Sequence, residues 1–103
     1  MAWREVTGIG ELDDEAAVAV VVGERQIALC RSGGELYALS NVCTHQYALL
    51  SDGYVEDGCI ECPLHQGRFD LKSGAPLAPP VTEAVRVYPV MRKEGKVYIE
   101  LDD

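Results

Sequence analysis

Two mixed pairs of metal donors mark this 103-residue chain. Cys43 and His45 are separated by one residue, sixteen residues follow, and Cys62 and His65 are then separated by two. Each pair sets one thiolate and one imidazole on a stretch short enough for a single tight loop to present. Four donors from two loops are the number that a two-iron centre needs, with the cysteines on one iron and the histidines on the other. Zinc also accepts two thiolates and two imidazoles. Zinc fingers group Cys with Cys and His with His, however, whereas each stretch here supplies one of each. The spacing therefore favours the iron–sulfur centre over zinc.

Two further cysteines need a reading of their own. Cys59 and Cys62 form a C-x-x-C, a spacing shared with zinc and redox-dithiol sites. Gly58-Cys59-Ile60-Glu61-Cys62 reads as a strand, in which residues three steps apart point to opposite faces. Cys30 follows Ile27-Ala28-Leu29 in another strand. Both Cys30 and Cys59 are expected as small buried apolar residues. The four cysteines do not fit the plant-type ferredoxin spacing.

The donors and their neighbours, Cys43-Thr44-His45 and Cys62-Pro63-Leu64-His65-Gln66-Gly67-Arg68-Phe69-Asp70, closely resemble the Rieske-type ferredoxins of bacterial aromatic-ring dioxygenase systems. The resemblance covers nearly the whole chain. It implies one Rieske [2Fe–2S] cluster held by Cys43, His45, Cys62 and His65, with electrons passing through the histidine-bound edge. It also implies a shuttle that takes one electron from a flavin-dependent NADH reductase and delivers it to a terminal ring-hydroxylating oxygenase. Ring chemistry belongs to the oxygenase, so the chain is expected to be an electron-transfer component and not an enzyme. No nucleotide-binding glycine fingerprint contradicts this. A Rieske subunit of another reductase, such as a small nitrite reductase component, and a zinc-stabilised interaction module are the alternatives.

Within the resemblance, the departures carry information. High-potential Rieske proteins place a disulfide-bonded cysteine in each ligand loop, and the matching positions here are Ala48 and Leu64. They also carry a serine where Gly67 stands and a tyrosine where Phe69 stands, each donating a hydrogen bond to the cluster or its thiolate. Fewer donors stabilise the extra electron less, so the expected midpoint lies toward the low end of the Rieske range, about −150 mV. Pro76, Pro79 and Pro80 resemble the proline loop that covers the cluster in the family. Gln46, Tyr47 and Gln66 flank the histidines as a candidate docking rim, with inward packing the equal alternative for Tyr47. Arg68 and Asp70 read as scaffold, with an ion pair between them as an option, Trp3 as edge-strand packing, and Gly53, Gly58, Gly67 and Gly74 as turn residues, with close approach of backbone N–H groups to the cluster the second reading of Gly67.

The rest of the chain must position these loops. One domain over 1–103 is expected at this length, and a cluster bridging two loops would reinforce a small core. Nine basic against seventeen acidic residues give a formal charge of −8, which argues against nucleic acid and for partners with basic surfaces. The start Met1-Ala2-Trp3-Arg4 has no secretory pattern, and the longest apolar run, Ala16 to Val22, falls far short of a membrane span. A soluble, cytoplasmic monomer without membrane contact is the expectation.

Strand signals dominate. Val18, Val20 and Val22, then Gln26 to Cys30, then Leu36 to Leu39 are punctuated by Gly23-Glu24 and Ser32-Gly33-Gly34. Val85, Val87 and Tyr88 predict one late strand and Val97 to Leu101 another, turned by Lys93-Glu94-Gly95-Lys96. Glu11 to Ala17 predicts a short helical turn. The stretch from about Asn41 to Thr82 is rich in glycine turns and prolines and contains both donor pairs. The pattern predicts an all-β fold with an antiparallel β-sandwich or barrel base, and the resemblance implies that it is a small Rieske fold with a loop-rich cluster-binding subdomain at about 41–82.

Overall fold

Alternating apolar residues and glycine-containing turns give this chain eleven strands among the residues that the computed structural model describes, which are 2–6, 12–43, 48–63, 67–79, 81 and 83–101. In chain order they are β1 (Ala2–Val6), β2 (Ala16–Val22), β3 (Arg25–Ser32), β4 (Glu35–Ser40), β5 (Tyr54–Glu56), β6 (Cys59–Glu61), β7 (Arg68–Asp70), β8 (Pro76–Ala78), β9 (Val87–Tyr88), β10 (Val90–Lys93) and β11 (Lys96–Leu101). The only helix among the described residues is a single 3-10 turn, Leu50–Asp52.

Two-residue turns set most of the registers. Gly33-Gly34, Asp57-Gly58 and Glu94-Gly95 each have φ above zero at both positions, the condition of a type I′ turn, whose twist matches that of paired strands. They close the pairs Ser32 with Glu35, Glu56 with Cys59 and Lys93 with Lys96. The strands assemble into three antiparallel sheets, ordered β1-β11-β10, β2-β3-β4-β9 and β5-β6-β7-β8.

The middle sheet is the spine. Along β3, Ile27 and Leu29 enter one buried cluster, with Val6, Ile99 and Leu101 from the first sheet. Ala28 and Cys30 enter a second cluster, with Ile60 and Phe69 from the third sheet, Leu50 from the 3-10 turn and Leu71 just beyond β7. Period-two alternation thus lets one strand feed two cores. The stretch at about 41–82 is an insert on this scaffold, and it is less loop-like than expected, because β5 to β8 form a sheet of their own.

Two local expectations are corrected. The Glu11 to Ala17 stretch forms no helical turn in its described part: Asp14-Glu15 is a tight turn and Ala16 already starts β2. The late strand begins at Val87 and not at Val85, whose N–H instead donates to the Gly74 carbonyl across 2.9 Å. That strand does not continue into the final hairpin. Pro89 separates β9 in the middle sheet from β10 in the first, and only β10 pairs with β11. No helix among the described residues is long and apolar enough to cross a membrane.

Candidate metal centre

Both candidate donor cysteines sit at the mouth of a loop, and the two loops are closed in the same way. The Cys43 N–H donates to the Ala48 carbonyl at 2.9 Å, and the Cys62 N–H donates to the Gly67 carbonyl at 2.7 Å. Each bond spans five residues. One step outside it, Val42 forms a bridge with Leu49, and Glu61 pairs with Arg68 at the start of the β6–β7 ladder. The two loops are therefore topological equivalents, each presenting a cysteine from the last residue before a hairpin opens. His45 and His65, with Gln46, Tyr47, Leu64 and Gln66, lie outside the described residues.

Cys43 and Cys62 are buried in one apolar cluster that also contains Ala48, Leu50, Ile60, Phe69 and Val81. Neither forms a disulfide. Two unbridged thiols at equivalent positions, facing an apolar core from separate loops, fit a centre that takes one thiolate from each loop. They suit the Rieske donor set, in which the other two ligands are imidazoles. No group of three or more His, Cys, Asp or Glu able to hold a metal exists among the described residues. Any such centre therefore draws on donors outside them.

Each loop has its own support. Asn41, two residues before Cys43, is the one fully buried polar residue beside this site among the described residues. Its Oδ1 accepts from the Ser51 N–H at 2.7 Å and its Nδ2 donates to Ser51 Oγ at 2.9 Å. Its backbone N–H donates to the Gln26 carbonyl, and its carbonyl accepts from the Leu50 N–H. Sequence reading missed Asn41; the available signal was an amide amid apolar residues immediately before a candidate ligand loop. On the second loop, a Cβ on Gly67 would meet Val81 Cγ1 at 2.7 Å. Gly67 is thus small because Val81, just beyond the prolines, packs on its backbone, which replaces the turn role expected for it. Gly53 likewise is a close approach, to the Glu61 carbonyl, whereas Gly58 and Gly74 have the left-handed φ of turn residues.

Several other expectations resolve here. Pro76 opens the edge strand β8, paired with Phe69 across a bulge, where a missing N–H is tolerated. Pro79 follows it at the surface, and Pro80 lies outside the described residues. Arg68 pairs with its cross-strand neighbour Glu61 at 3.3 Å, not with Asp70, whose carboxylate accepts from the Ser73 N–H and hydroxyl. Trp3 does lie on the edge strand β1, 43% exposed. Cys30 is fully buried, and burial pushes its thiol up to about 12. Cys59 is not fully buried as expected. It stands beside Asp70 on the outer face of β6, and partial burial followed by the Asp70 charge raises its thiol pKa against an opposing pull from Arg68.

Comparison with known proteins bears on this geometry. A family model described as the Rieske [2Fe-2S] domain matches residues 2–89. The anthranilate 1,2-dioxygenase ferredoxin subunit of Burkholderia cepacia is 46% identical over 99 residues, covering 96% of this chain and 92% of that protein. Among solved structures, the ferredoxin of carbazole 1,9a-dioxygenase from Nocardioides aromaticivorans IC177 superposes with a TM-score of 0.89 at 34% identity, covering 96% and 97% of the two chains. A complex of reduced oxygenase and oxidised ferredoxin in carbazole 1,9a-dioxygenase matches with a TM-score of 0.83 at 36% identity, covering 88% of this chain and 94% of that one.

Proposed function

The chain belongs to the Rieske [2Fe-2S] domain family, and from that premise we propose that Cys43, His45, Cys62 and His65 hold one Rieske cluster in a one-electron carrier serving an aromatic-ring dioxygenase. One observation carries the ligand assignment: Cys43 and Cys62 occupy equivalent positions in two identically closed loops that face one buried cluster. The cofactor of this family supplies reversible one-electron chemistry. The chain's own residues do the rest. The backbone bonds at Ala48 and Gly67 hold the two loops, the apolar wall of Leu50, Ile60 and Phe69 keeps water from the thiolate side, and Val81 packs the second loop from above. His45 and His65 form the edge through which the electron enters and leaves.

The chain is an electron-transfer component and not the catalytic one; its relatives are named as ferredoxin subunits and components. The terminal oxygenase is its partner, as the ferredoxin complexed with an oxygenase is for a relative. A flavin-dependent NADH reductase supplies the electron, the carrier works as a cytoplasmic monomer, and 1–103 act as one domain with the cluster-binding subdomain at about 41–82.

Purified protein tests the assignment. About two irons per chain and a Rieske-type EPR signal on reduction are expected, with loss of the signal in H45A and H65A. A colourless protein carrying one zinc would overturn it. Carrier function is tested by NADH-dependent ring oxygenation with a dioxygenase-system reductase and oxygenase supplied. Turnover should depend on this chain, and equal turnover without it would count against the role.

A further inference from the structure

We propose that Glu15 is a positioning residue that sets the two ligand loops relative to one another, acting from the opposite ends of the strands that carry them. The inference rests on the ligand reading above for what the loops hold, but not for the bridge itself. β4 begins just after the Gly33-Gly34 turn and ends three residues before Cys43; β6 begins just after the Asp57-Gly58 turn and ends beside Cys62. These strands belong to different sheets. No ladder joins them, so something else must fix their starting points.

Glu15 does so with one carboxylate. Its Oε1 accepts from the Ser32 hydroxyl at 2.9 Å and the Gly33 N–H at 3.2 Å, at the turn before β4. Its Oε2 accepts from the Asp57 N–H at 3.0 Å, at the turn before β6. Ser32 Oγ then accepts from the Gly58 N–H at 2.9 Å and completes the link. The two oxygens of a carboxylate have a fixed separation, so dividing them between two turns makes the side chain a spacer as well as an acceptor. Bonds to a charged acceptor are the stronger class.

The backbone supports the same conclusion. Glu15 has φ 58°, in the left-handed region that non-glycine residues rarely occupy. Such conformations persist where surrounding contacts over-determine them. Asp14 Oδ1 accepts from the Gly34 N–H at 3.0 Å, and Arg31 Nη1 donates to the Leu12 carbonyl at 3.0 Å. The whole approach to Glu15 is thus tied to the β3–β4 hairpin, leaving its Oε2 to reach the insert.

The test compares E15A, E15D and E15Q holoprotein with V97A, which loosens the opposite core without touching the bridge. The readouts are hydrogen exchange in the 54–62 segment, thermal stability, and the width of the EPR g-values of the reduced protein. In E15A, exchange at Asp57 and Gly58 should rise about tenfold, as expected for loss of a charge-assisted bond, and the g-values should broaden. E15D keeps the charge but is one methylene short, so it should resemble E15A. E15Q keeps one carbonyl acceptor and should fall between E15A and the parent. Wild-type behaviour of E15D would overturn the spacer role, and so would g-values in E15A no broader than in V97A at equal loss of stability. Unchanged exchange in E15A overturns the bridge whatever the loops hold. A colourless parent protein would instead overturn the cluster reading, and with it the claim on the ligand loops.

Discussion

Cys30 and Cys59 show how position alone divides one residue type into two chemistries. Cys30 is sealed within the core and its thiol titrates near 12, whereas an unfolded cysteine titrates near 8.5. Between those values the unfolded chain has lost a proton that the folded chain keeps. Stability contributed by the neutral thiol is therefore present in full below about pH 8.5 and falls as pH rises toward 12, by up to about 1.4 kcal/mol per pH unit. Denaturant titrations should show this alkaline slope in the parent and a shallower one in C30A. Alkylation of the native protein at pH 8 should label the partly exposed Cys59 and spare Cys30. Phe69 raises a different residue-level question. It is fully buried in the cluster that contains both proposed ligand cysteines, and it lacks the hydroxyl that the family resemblance expects here in high-potential Rieske proteins. A midpoint of about −150 mV is expected. F69Y should raise it, and potentiometry showing no rise would mean the hydroxyl cannot reach a ligand sulfur.

At the scale of elements, each proposed ligand loop depends on a contact from outside its own hairpin. For the first loop that contact is Asn41 with Ser51. N41A would strand the Ser51 N–H and hydroxyl in a partly buried setting, at a cost of about 1 kcal/mol, measurable as a lower denaturation midpoint. For the second loop it is Val81 against Gly67. G67A places a methyl where Val81 Cγ1 already stands, and overpacking of this kind costs about 1–3 kcal/mol. V81A should recover part of that loss in the double variant, a coupling that independent sites would not show.

The whole molecule is a spine with a core on each side, and its insert adds a third sheet over the second core. A cofactor held between two loops of that insert joins segments about twenty residues apart, so its binding energy is also folding energy. Removing iron with a chelator should lower the thermal midpoint and increase exchange in the insert more than in the β1-β11-β10 sheet. The charge of −8 predicts that encounter with a basic partner surface is electrostatically assisted. Reduction of this chain by the proposed reductase should slow by about tenfold or more from low to high salt, seen in the second-order rate. A rate indifferent to salt would mean that the contact region is not acidic.

What could be read from the sequence was whatever short stretches of backbone encode alone. Paired donors at Cys43, His45, Cys62 and His65 are local patterns, and so are the glycine-bearing two-residue turns and the period-two strands, because each is set by neighbours within a few positions. The all-β fold followed from them. Contacts between distant residues were not legible: Gly67 is small for Val81, and Glu15 reaches Asp57 forty-two positions away. Pro89 moves the chain between sheets, and Cys59 faces outward while Cys62 is buried. Those features arise only once two cores close around one sheet and bring remote backbone together. The sequence by itself therefore determined which donors the loops offer, and the tertiary structure decided how the two loops are held to each other.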